Sequence, residues 1–342
     1  MRCGQLPRIE IHFLTYKYIY IGMKINKILF AVAALAVTSC TLPREEMGVE
    51  LGEPTAVELN VEIPTAGTRA ATGTDSALGG LSNVDWNVYD LRYTIEIYDA
   101  TGNTSPIRVE GYDTDGYDGY SNSISLTKGR EYQLYIWADF VKAQGQDLHY
   151  NTGDLRTISL KGNYTVNDES RDAYAYFGTF TVADGAANSI VAELKRPFAK
   201  VRMVTTDADR LSFGQQIDSI KVSYINDGST VPSSYALATG ILGTNATVSD
   251  VVADVVSYTN DAAGSRTLLT DYIFAPTSGQ GSVKIALSVF DTAGNLIYTI
   301  PTKEVPFSKN QRTTVQGPAL TGTADIIVTI DGNIADGGSI GF

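Results

Sequence analysis

Two histidines and two cysteines in 342 residues leave little material for the commonest kinds of site chemistry. His12 falls in the leader, so a histidine triad or a multi-histidine metal site has one candidate member, His149, read as a loop or strand-surface residue. Long helical periods are missing too, and with them any glycine-rich phosphate loop ahead of a helix. Positive charge is scarce: 26 basic against 38 acidic residues, net −12. Residues 1–39 hold Arg2, Arg8, Lys17, Lys24 and Lys27 against Glu10, so the remainder is more acidic still. Such a surface repels phosphate backbones, which excludes nucleic acid as a partner. Nothing calls for a cofactor, a metal or an enzymatic reaction.

Long apolar runs are also lacking. Ile28 to Val37 is uncharged, but a bilayer span needs roughly twenty residues. Preceded by Met23-Lys24-Ile25-Asn26-Lys27 and followed by Thr38-Ser39-Cys40, it has the layout of a signal peptide that starts at Met23. Val37-Thr38-Ser39-Cys40 resembles a bacterial lipobox, which implies a lipid joined by thioether to the Cys40 sulfur. Residues 1–39 are then an upstream segment plus leader. Cys3 lies within it, so no disulfide is available to the exported chain and its stability must come from burial. Thr41 to Glu53 reads as a tether.

Strands fill the chain beyond the tether. Val57, Leu59, Val61 and Ile63 alternate with Glu58, Asn60 and Glu62, the pattern of a half-buried strand. Pro64 to Gly73 is a small-residue stretch with one basic residue, Arg69, of the kind proteases cut. Tyr93-Ile95-Ile97, Tyr132-Leu134-Ile136 and Val283-Ile285-Leu287-Val289 alternate in the same way. Ala199 to Val204, Ile217 to Ile225, Leu296 to Ile300 and Ala324 to Ile330 complete the set. The best short helix lies around Thr206 to Leu211, capped by Thr206 or Asp207. The reading is all-β, two sandwiches in tandem with a boundary at Arg196-Pro197 and no sequence repeat between them.

One cluster invites a sharper reading: Tyr112-Asp113-Thr114-Asp115-Gly116-Tyr117-Asp118-Gly119-Tyr120. An EF-hand would need an oxygen ligand where Tyr117 stands and a glutamate where Ile124 stands, so the spacing fails for calcium. Asp113, Asp115 and Asp118 then form a solvated turn, or Tyr112, Tyr117, Tyr120 and Trp137 offer platforms to a sugar or a partner.

Leu194-Lys195-Arg196-Pro197-Phe198-Ala199-Lys200-Val201, together with Val305-Pro306-Phe307-Ser308-Lys309-Asn310-Gln311-Arg312-Thr313-Thr314-Val315-Gln316-Gly317, resembles the Bacteroidales fimbrillin superfamily over residues 23–342. Members of that family build type V pili. The resemblance implies two transthyretin-like Greek-key β-sandwich domains, at 70–195 and 196–342. It implies an arginine-specific cut between Arg69 and Ala70 that removes residues 40–69, with Val57, Leu59, Val61 and Ile63 as the departing strand's inward side chains. The implied partners are other pilus subunits by strand addition, the outer-membrane lipid anchor, and a host protein or glycan. The alternatives are a lipid-anchored pilus anchor or accessory protein, and a surface glycan-binding lipoprotein.

Overall fold

Alternating apolar residues in a chain without a helical period can bury one face only by pairing into sheets, and among the described residues the regular elements are almost all strands. This computed structural model describes residues 52–64, 81, 84–100, 105–142, 145–184, 187–225, 230–243, 245–248, 250–255, 264–321, 327–330 and 340–341. The first half comprises β1 (Pro54–Glu62), β2 (Asp90–Asp99), β3 (Ile107–Asp113), β4 (Tyr120–Thr127), β5 (Glu131–Val141), β6 (Tyr150–Asn151), β7 (Thr157–Leu160), β8 (Ala173–Thr181) and β9 (Asn188–Glu193). The second comprises β10 (Phe198–Thr205), β11 (Ile217–Tyr224), β12 (Thr230–Pro232), β13 (Ser234–Ala236), β14 (Asn245–Thr247), β15 (Val251–Asp254), β16 (Arg266–Phe274), β17 (Gly281–Asp291), β18 (Leu296–Phe307), β19 (Arg312–Gly317), β20 (Ile327–Ile330) and β21 (Ile340–Gly341).

In the first half, sheet β4-β1-β9 packs on sheet β3-β2-β5-β8, and the side chains between them form one core. In the second half, β16-β10-β19 continues into β20 and β21 and packs on β15-β11-β17-β18 around another core. The two halves share one plan. Each half's first described strand lies between an antiparallel neighbour and a parallel strand from late in that half, as β1 does with β4 and β9 and β10 with β16 and β19. This repeat of connectivity has no counterpart at the level of residue identity.

A third core joins the halves. Tyr98, Tyr135, Trp137 and Tyr150 meet Phe198, Tyr235, Tyr272 and Phe274, with ring centroids 5.5 Å apart for Tyr150–Phe198 and 6.1 Å for Trp137–Phe198. Beside it β7 pairs with β13, and Arg171 and Asp271 form a buried ion pair. This joint explains where the alternation in β2 and β5 misleads. Thr94 and Glu96, expected on an open face, are 0% and 1% exposed because residues 147–172 cover that face. Glu96 accepts hydrogen bonds from Arg108, Tyr98 and the Leu155 N–H, which satisfies its buried oxygens.

The expected helix shrinks to one 3₁₀ turn, Ala208–Arg210, with Asp207 at its N-cap. The Asp207 carboxylate does not cap that turn. It accepts instead from the Leu320 and Thr321 N–H groups and the Thr205 and Thr321 hydroxyls.

Candidate functional site

β1 begins the described fold, yet it occupies the middle of its sheet. Its residues Pro54 to Val61 pair antiparallel with β4 and Val57 to Glu62 pair parallel with β9. Val57, Leu59, Val61 and Ile63 are all buried, each at 4% exposure or less, and point into the first core with Tyr93, Ile95, Ile136 and Leu194. Burial of four such side chains contributes about 1.5–3 kcal/mol each. The opposite face, Glu58, Asn60 and Glu62, is polar; Ser123 donates to the Glu58 carboxylate at 2.6 Å and Ser121 to Asn60 Oδ1 at 2.8 Å.

Ile63 is the first residue beyond both ladders, so its backbone groups have no strand partner. Tyr117 takes both of them: its hydroxyl accepts from the Ile63 N–H at 2.7 Å and donates to the Ile63 carbonyl at 3.1 Å. Burial raises the Tyr117 hydroxyl above its ordinary pKa, which keeps the donated proton in place. The loop that carries it is braced underneath. Asp113, buried at the end of β3, accepts from the Tyr93 hydroxyl at 2.8 Å and from the Asp118 N–H at 3.3 Å. Gly119 turns the loop at φ +78°, and a Cβ there would stand 3.2 Å from the Val61 carbonyl oxygen. Tyr120 stacks on Tyr93 with centroids 5.5 Å apart, in space that any side chain on Gly111 would fill.

The Tyr/Asp cluster is therefore divided. Tyr117, Asp113 and Tyr120 build a clasp at the end of β1, whereas Asp115 and Asp118 are exposed and Tyr112 reaches out to Glu110 at 3.2 Å. Among the described residues no group of three potential metal ligands converges. Trp137 is corrected as a platform: it is fully buried in the joint between the halves. His149 lies in the loop just before β6, as expected, but is largely covered. Its side chain is 12% exposed, with Nε2 at 2.8 Å from Ser170 Oγ and 3.5 Å from the Asp168 carboxylate.

That burial lowers the His149 pKa from 6.5 to about 4, with Arg171 and Lys142 pushing in the same direction and Asp168 opposing. The unfolded chain then takes up a proton between pH 6.5 and about 4 that the folded protein refuses, so stability present above 6.5 is lost as pH falls. A His149→Gln protein is expected to lose less of its melting temperature between pH 7 and pH 5 than the parent, measured by calorimetry.

The two stretches behind the family resemblance lie side by side. β10 pairs with β19, Asn310 adopts φ +55° and donates its N–H to the Phe198 carbonyl at 2.7 Å, and Lys200 donates to the Gln311 carbonyl at 3.0 Å. An asparagine tolerates the left-handed region that this turn needs. Thr313 then bonds back to the Pro306 carbonyl at 2.7 Å as the chain crosses from one sheet to the other. Cys40, Arg69 and Ala70 lie outside the described residues.

Comparison with known proteins gives a family and a set of structural neighbours. The model of a family of unknown function, DUF6562, matches residues 49–338. No curated protein matches the sequence. Solved structures similar to the chain include a fimbrial assembly protein from Parabacteroides distasonis, at 14% identity and TM-score 0.41, covering 81% of this chain and 99% of that one. The fimbrial anchor protein Mfa2 from Porphyromonas gingivalis is 16% identical at TM-score 0.39, over 81% of this chain and 97% of its own. Likeness of that degree transfers neither role to this chain.

Proposed function

The chain belongs to the DUF6562 family, and we propose that it is a fimbrial or adhesive subunit of the cell surface that assembles by exchanging β1 for a strand of a neighbour. The observation that carries this reading is the position of β1: first among the described strands, central in its sheet, and followed by the small-residue stretch that holds Arg69. A cut at Arg69 would leave β1 attached by non-covalent contacts alone. Its departure would bare the inner edges of β4 and β9 and four apolar sites, which a partner's strand can satisfy by backbone pairing and alternate side chains. Nothing in the role requires catalysis or a cofactor.

The proposal includes export as a lipoprotein on Cys40 and display on the outer membrane, with other subunits as partners. If Arg69 stays intact, the same fold is a closed, lipid-held anchor or accessory subunit, because β1 is paired on both sides.

Intact mass and N-terminal sequencing of the protein from its native cell surface decide between these. A chain beginning at Ala70 is expected for the polymerising subunit, together with loss of surface fibres in an Arg69→Ala strain. A chain that retains acylated Cys40 throughout the assembled material overturns it.

A further inference from the structure

The alternation of β1 is not sufficient to fix how a strand sits in this groove. A slip of one residue turns every apolar side chain outward and is excluded by burial, but a slip of two keeps the same face inward. Two other features mark the ends. Pro54 is the first residue of the paired segment and Pro64 follows its end, and neither can donate a ladder hydrogen bond. The second feature is the clasp, which meets the strand's backbone beyond the last rungs at Val61–Tyr120 and Glu62–Glu193.

We propose that Tyr117 sets the dwell time of whichever strand occupies the groove, and selects against proline at its end, by holding both backbone groups of the residue at the Ile63 position. This rests on the strand-exchange reading and names the partner's chemistry. The incoming segment is extended, runs parallel to β9, and carries aliphatic residues at four alternating positions. The fourth of these must have a free N–H, so proline is barred there.

The clasp is suited to the task because contacts outside the strand also hold its loop. Asp113 and Tyr93 brace its loop from below, and Gly119 lets that loop pass close over the Val61 carbonyl. It also closes at the end of β1 next to the stretch containing Arg69, so release after a cut starts by breaking these two bonds.

The test is amide hydrogen exchange on the full chain, comparing the parent with Tyr117→Phe, which keeps the ring and removes the hydroxyl. A Tyr112→Phe protein, whose hydroxyl faces Glu110, is the control. Exchange across residues 57–64 is expected to speed by about ten- to a hundredfold in Tyr117→Phe, as two lost hydrogen bonds imply, with β10 and β19 unchanged. Equal rates in the Tyr117→Phe and Tyr112→Phe proteins overturn the proposal.

A second arm separates it from the reading beneath it. Labelled peptides of residues 54–64, with isoleucine or proline at position 63, are offered to protein cut after Arg69. Entry of the isoleucine peptide, with weaker entry of the proline peptide, supports both ideas. Equal entry overturns the role of the clasp, and entry of neither overturns strand exchange while the hydrogen-exchange result still decides the clasp.

Discussion

An Arg171→Ala protein is expected to be less stable than the parent by about 3–5 kcal/mol, the usual effect of removing one partner from a buried ion pair. Arg171 is 3% exposed and Asp271 0%. The guanidinium also donates to the Thr165 carbonyl and, at 3.0 Å, to the Tyr272 carbonyl, so its loss strands acceptors in both halves of the chain. Asp271 would keep its hydrogen bonds from the Tyr164 and Tyr224 hydroxyls but lose the one positive charge among those partners.

Burial already raises the Asp271 pKa above 3.8, and removing Arg171 raises it further. A carboxyl with a raised pKa binds its proton more readily in the folded state, so its contribution to stability falls as pH rises through the interval between the two values. The deficit of Arg171→Ala should therefore be smaller at pH 5 than at pH 8. Urea denaturation at both pH values measures it, and pairing the change with Asp271→Asn is expected to recover part of the loss. A deficit under about 1 kcal/mol at pH 8, the scale of an exposed pair, would show that the joint is held by its aromatic rings alone.

Leu59→Asp is expected to be more damaging, with folded protein recovered poorly or not at all. The substitution removes a side chain that is 2% exposed and puts a carboxylate among the apolar side chains of the first core. The matching change one residue earlier, Glu58→Lys, sits on the exposed face and should alter stability by no more than about 0.5 kcal/mol. Soluble yield and chemical denaturation of the pair measure the contrast. Comparable behaviour of the two would mean that β1 contributes nothing to the core it faces.

These two sites mark the limits of what can be read from residues alone. The inward face of β1 is legible because one side of it meets solvent, so burial follows a period of two. The same is true of β17, where Val283, Ile285, Leu287 and Val289 are all buried. β2 and β5 carry a similar alternation but are covered on both faces, and the covering residues, 147–172, have no period to announce them. Trp137, on β5, departs from its expected position for this reason, whereas His149 belongs to the covering segment itself.

The clasp is half visible. A run of tyrosines, aspartates and glycines marks a structured turn, but that Tyr117 meets Ile63 depends on β1 lying beside β4, a pairing across more than fifty residues. Duplication of the strand plan leaves no trace in residue identity because it lives in connectivity, which two unrelated sets of apolar residues can satisfy equally well. Within Asn310 to Gly317 the reverse holds: local backbone needs, a left-handed turn and a Thr313 bond to Pro306, put chemical identity into the sequence itself.

Parallel pairing of β1 with β9 also has a consequence for the order of folding. β1 is synthesised early, but its parallel partner, from Asn188 onward, follows only after most of the first half has been made. Until then one side of β1 has nothing to bond, and closing so long a loop is slow. β1 can pair with β4 before that, so the element that arrives last in the first half is β9, and until it does one edge of β1 stays exposed.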